Sequence, residues 1–74
     1  MTMKKTYKIE VECANCANKM ELAAGRVAGV ARVRVNYLLQ KLEVEYAEGS
    51  EEKKVLADIL RECRRIEPDC VIGQ

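Results

Sequence analysis

Cys13 and Cys16 are separated by two residues in the segment Glu12-Cys13-Ala14-Asn15-Cys16. Two thiolates at this spacing converge on one point and bind soft or borderline metal ions. The same pair also occurs as half of a structural zinc site or as a redox dithiol. Glu12, directly before Cys13, offers a carboxylate oxygen. A divalent ion between two thiolates is neutral and takes further donors, so this oxygen suits it. Cu(I) is satisfied by two soft ligands, and beside it the carboxylate adds unfavourable negative charge. The chain has no His, so a further protein donor must be Glu12, another carboxylate, a third thiolate or a backbone carbonyl. Cys63 and Cys70 occupy apolar positions of their segments and read first as small buried hydrophobes, with a third thiolate from either left open.

The elements that must position these residues follow from hydrophobic periodicity. Tyr7, Ile9 and Val11 alternate with Lys8, Glu10 and Glu12, which predicts a half-buried strand near Lys5 to Val11. From Asn15 to Val27 the residues Cys16, Met20, Ala23, Ala24 and Val27 fall at helical spacing, so a helix begins at or just after the cysteines. Gly25 and Gly29 bracket its end as a left-handed cap or turn. Val33 and Val35, then Leu42, Val44 and Tyr46, predict a hairpin with Arg32 and Arg34 across from Glu43 and Glu45 on the solvated face. Ser50 is placed to cap a second helix with Glu51 and Glu52 in its first turn and a stripe of Val55, Leu56, Ile59, Leu60 and Cys63. Pro68 stops it, and Cys70, Val71 and Ile72 form a last short strand. The order βαββαβ is that of the α+β ferredoxin-like fold, a four-stranded antiparallel sheet with two helices on one face. A single domain over residues 1–74 is expected.

Composition excludes several functions. The chain has 74 residues, too few for a large substrate cleft, and its 13 Lys and Arg against 12 Asp and Glu give no global attraction to nucleic acid or anionic lipid. An RNA-binding module of this fold needs exposed aromatics on its central strands, a platform that Tyr37 and Tyr46 do not make. Without His, the side chain most used for acid–base catalysis near neutral pH is missing, and no catalytic site is expected. The basic start never reaches the apolar run of a signal peptide and no segment is long enough to span a bilayer. A cytoplasmic setting with reduced thiols is therefore expected. A structural zinc site wants four ligands, which the wide spacing of Cys63 and Cys70 argues against. A thioredoxin-like enzyme wants a longer chain and a proline opposite its cysteines, whereas Pro68 lies in a helix-ending loop. An open two-thiolate metal site is the favoured reading.

The run Cys13-Ala14-Asn15-Cys16-Ala17-Asn18-Lys19-Met20-Glu21, followed by Val27-Ala28-Gly29-Val30, Val33-Arg34-Val35-Asn36 and Val44-Glu45-Tyr46, resembles a heavy-metal-associated domain over nearly the whole chain. Such domains form N-terminal modules of metal-exporting P-type ATPases and small free-standing metallochaperones. The resemblance implies that Cys13 and Cys16 are the ligands, and that the domain receives or passes metal in contact with other domains of a transporter or with a metal-donor protein. Copper members usually carry Gly-Met-Thr or similar before the first Cys. The acidic Glu12 instead resembles the zinc, cadmium and lead exporters, although those commonly have Asp there. Zn, Cd or Pb is the expected cargo, with Cu(I) the alternative. After the second helix the family often has a Gly-aromatic pair, where this chain has Arg64, Arg65 and Glu67. The two arginines are read as favouring the helix C-terminus.

Overall fold

The computed structural model describes residues 3–73, so the two ends of the expected 1–74 span lie outside the described residues. The elements run β1 (Met3–Ile9), α1 (Ala14–Gly25), β2 (Val30–Asn36), β3 (Lys41–Tyr46), α2 (Glu52–Ile66) and β4 (Ile72–Gly73). The strands form one antiparallel sheet in the order β2-β3-β1-β4. Both helices bury their stripes in the same core, α1 through Ala17, Met20 and Ala24 and α2 through Val55, Ile59 and Cys63, against Tyr7, Ile9, Leu42, Val44 and Tyr46 of the sheet.

The alternation read from the sequence sets which residues face this core. Arg32 pairs with Glu45 and Arg34 with Glu43 on the opposite face. Lys4 Nζ lies 2.9 Å from Glu43 Oε1, and this lysine holds the Glu43 carboxyl below its ordinary range. Tyr7 and Tyr46, on the two central strands, point inward and share a buried 2.7 Å bond between their hydroxyls. Burial is the main cause that raises the Tyr46 pKa, with the Tyr7 bond adding to it.

Several boundaries differ from the sequence reading, each for a local reason. Pairing of β1 ends at Ile9, before the expected Val11, because the Val11 amide N–H and carbonyl are taken by the Gln40 side chain at 2.8 and 3.0 Å. Helix α1 runs through Gly25 and is capped at Arg26 in the right-handed region, so Gly25 is not a left-handed cap; Gly29 takes that conformation, with φ 94°. Ser50 does not cap α2. Its hydroxyl donates instead to the Ala47 carbonyl at 2.6 Å, closing the turn after β3, and Glu51 stands at the cap position without a side-chain bond. The last strand pairs only through Ile72 and Gly73, although Glu10 N–H still reaches the Val71 carbonyl at 3.2 Å.

Candidate metal centre

Cys13 is the residue that caps α1, and Cys16 lies in the first turn of that helix. The Cys13 backbone is extended, with φ −147° and ψ 151°, which turns its side chain back over the helix start. There the Cys16 backbone N–H donates to Cys13 Sγ at 3.1 Å, and Cys16 Sγ donates to Cys13 Sγ at 2.7 Å. The amide groups at a helix N-terminus have no intrahelical partner and favour negative charge. Accordingly the Cys13 thiol is held below its ordinary pKa, first by the Cys16 thiol and then by the backbone N–H groups of Cys16 and Asn15. Cys16, the donor of the pair, is held above its ordinary value by that same bond and by burial. One thiol is primed to ionise and its neighbour keeps the proton.

Both thiols are half-buried, Ala14 and Asn15 between them are exposed, and the two sulfurs are close enough to share one ion at the roughly 2.3 Å of a zinc–sulfur bond. Among the described residues, no three Cys, Asp or Glu side chains already form a closed metal cage. The donor set is thus an open pair, suited to soft and borderline ions. Glu12 is exposed in the bend before Cys13. Cys63 and Cys70 are 0% and 1% exposed. They lie within hydrogen-bonding reach of each other, and burial pushes the Cys63 thiol up to about 12 and raises Cys70 as well. Such thiols are poor nucleophiles and poor ligands at neutral pH.

The segments on either side of the cysteine pair are braced by residues that the cysteine motif does not reveal. The Gln40 amide bridges Val11 to the Tyr37 carbonyl, the latter at 2.7 Å, and the Gln40 backbone carbonyl accepts from Ile9 at 3.1 Å. Arg64 Nε donates to the Cys70 carbonyl at 3.1 Å, tying the end of α2 to the loop before β4. The charge of Glu67, in that loop, adds to the burial that raises Cys70 and weakly opposes the lowering of Cys13. The signal for Glu67 in the sequence was its departure from the family's usual Gly-aromatic pair; Gln40 carried none.

A β-α-β-β-α-β sheet with a cysteine pair at the first helix start defines a class of small metal-handling domains. The model of the heavy-metal-associated domain matches residues 6–65, and the chain belongs to that family. It is 40% identical over 47 residues to a copper-exporting P-type ATPase of Bacillus subtilis (strain 168); the match takes in 62% of this chain and 6% of that protein's length. The N-terminal domain of a potential copper-translocating P-type ATPase from Bacillus subtilis, solved in its Cu(I)-loaded state, superposes with a TM-score of 0.75 at 28% identity. The superposition covers 99% of this chain and 86% of that one. The apo N-terminal domain of ZntA shares the fold, with a TM-score of 0.72 at 24% identity over 100% and 96% of the two chains. Among the described residues no helix is long and apolar enough to cross a membrane.

Proposed function

We propose that the domain binds a soft or borderline metal ion through Cys13 and Cys16, with Glu12 as an added donor, and passes it on as the cytoplasmic module of a metal-exporting P-type ATPase. The observation that carries this reading is the Cys13–Cys16 pair, with sulfurs 2.7 Å apart at the N-terminus of α1 and Cys13 held toward its thiolate form. An open pair suits transfer, because an incoming thiolate of a partner binds before the outgoing one leaves. No catalytic role is assigned to this domain, and residues 1–74 are taken as one module.

Zn(II), Cd(II) or Pb(II) is the preferred cargo, on the charge argument: two thiolates and a divalent ion are neutral and gain from a carboxylate, whereas two thiolates and Cu(I) already carry one negative charge. Cu(I) is the second reading, supported by the copper-exporting relative and the Cu(I)-loaded domain of similar structure. A free-standing metallochaperone would use the same site in the same way. Titration of the reduced chain with each ion against competing chelators tests the reading. Cys13→Ala or Cys16→Ala should weaken every ion by about 100-fold or more, and Glu12→Ala should weaken the divalent ions about tenfold while sparing Cu(I). Divalent affinity that is unchanged in Glu12→Ala removes Glu12 from the donor set, and Cu(I) binding that outcompetes all divalent ions moves the cargo to copper.

A further inference from the structure

Glu67 Oε2 is the one buried side-chain oxygen or nitrogen among the described residues that has no hydrogen-bond partner. A carboxylate oxygen out of water and unpaired is costly, because it has lost its hydration with nothing in exchange. The backbone gives Glu67 little freedom to escape. Its N–H donates to the Cys63 carbonyl at 2.9 Å and its carbonyl accepts from Cys70 N–H at 2.9 Å, so the turn from Glu67 to Cys70 is pinned at both ends. The pairing of Ile9 with Ile72 and the Glu10 N–H bond to Val71 then lay this turn beside the segment that leads from β1 into Cys13.

We propose that Glu67 is a further oxygen donor to a divalent ion held by Cys13 and Cys16, and that it sets the preference of the site for doubly over singly charged ions. This rests on the reading of the two cysteines as ligands. The buried oxygen has no partner, and the open thiolate pair has room for a further donor. A carboxylate–metal bond satisfies both, with the Glu67 side chain turning toward the sulfurs as the ion enters. Zn(II) accepts such mixed sulfur and oxygen sets, with zinc–oxygen bonds of about 2.0–2.2 Å. Cu(I) gains little from a hard oxygen and is opposed by the extra negative charge. Glu67 stands just after α2 and Glu12 in the bend before α1, so the two contributions are separable by mutation.

The test compares the reduced full chain with Glu67→Gln, Glu67→Asp, Glu12→Gln and Cys13→Ser/Cys16→Ser, by chelator-competed titration with Zn(II) and Cu(I) and by X-ray absorption at the zinc edge. Glu67→Gln should lose Zn(II) affinity by about 10–100-fold, the range for removing a group that supports a metal, with Cu(I) affinity changed by less than about threefold. The zinc spectrum should lose an oxygen scatterer and keep both sulfurs, and Glu67→Asp should recover part of the Zn(II) affinity. The apo form of Glu67→Gln should melt no lower than the parent, since the Oε2 position has no hydrogen-bond partner to lose. Unchanged Zn(II) affinity in Glu67→Gln, or an equal loss for Zn(II) and Cu(I) together with a lower apo melting temperature, overturns the proposal while leaving the cysteine reading intact. Retention of Zn(II) by the double serine variant overturns the cysteine reading and this proposal with it.

Discussion

Gln40 commits its whole side chain to the segment that leads to Cys13 and to the turn before itself. Its backbone sits in the left-handed region at φ 51°, and from there the amide accepts from Val11 N–H at 2.8 Å and donates to the Val11 and Tyr37 carbonyls at 3.0 and 2.7 Å. Val11 is buried and two residues short of Cys13, and its backbone groups have left the strand ladder. Gln40→Ala leaves those polar groups without the amide and is expected to cost about 1–3 kcal/mol. Urea denaturation at neutral pH measures it, and a loss below about 0.5 kcal/mol would mean that water replaces the amide. The closeness of the two cysteines was legible because it depends on a spacing of three within one segment. Gln40 was not, because its partner lies 29 residues away and its role depends on a backbone angle that no residue type other than glycine announces.

At the scale of elements, the junction of α1 and β2 is set by packing as much as by propensity. Gly29 stands at φ 94°, and a Cβ there would meet Val55 Cγ2 of α2 at 2.6 Å and Ser50 Cβ at 3.1 Å. Gly49 also has positive φ, at 81°, but a Cβ there meets nothing within 4 Å. Gly49→Ala should therefore cost only the conformational part, about 1–2 kcal/mol, and Gly29→Ala more, about 2–4 kcal/mol, once the clash with α2 is added. Thermal denaturation of the two variants side by side separates these contributions; equal losses would show that Val55 moves aside freely. The identity and order of all six elements followed from periods of two and 3.6, since those patterns must match the core they build. The ends of the elements did not follow, because Gln40, Ser50 and Arg64 close turns with bonds to distant or neighbouring carbonyls that a hydrophobic pattern does not encode. On the α1 side, Glu21 Oε1 accepts from Val35 N–H at 2.8 Å and so occupies a backbone donor of the edge strand β2. Pairing rules within the sheet would have left that donor open.

For the molecule as a whole, the four thiols divide into an accessible pair and a buried pair, and pH acts on them differently. Cys63 is pushed up to about 12 from an ordinary 9.0, chiefly by burial. Between those two values the unfolded chain loses protons that the folded chain keeps. Stability from this group is therefore complete below about pH 9 and declines as pH rises toward 12. Cys70 is raised as well and acts in the same direction. Urea midpoints at pH 7, 9 and 10.5 should fall more steeply for the parent than for Cys63→Ala, even though the variant starts lower from the cavity it creates. Parallel slopes would show that burial does not keep Cys63 protonated.

The sequence by itself determined the ferredoxin-like order of elements, the placing of opposite charges across β2 and β3, and the placing of Cys13 and Cys16 together at the start of the first helix. Each of these is a local pattern: alternation, helical spacing, or two like residues in one turn. Cys63 and Cys70 already read as small buried hydrophobes; only the tertiary structure decided that they lie beside each other, that Gln40 holds the segment leading to Cys13, and that Glu67 carries an unpaired oxygen in the turn beside that segment. Those facts depend on what the chain brings together from segments 29 to more than 50 residues apart. Burial, which sets both the cost of an unpaired carboxylate and the pKa of a thiol, exists only once the sheet and both helices have closed around it.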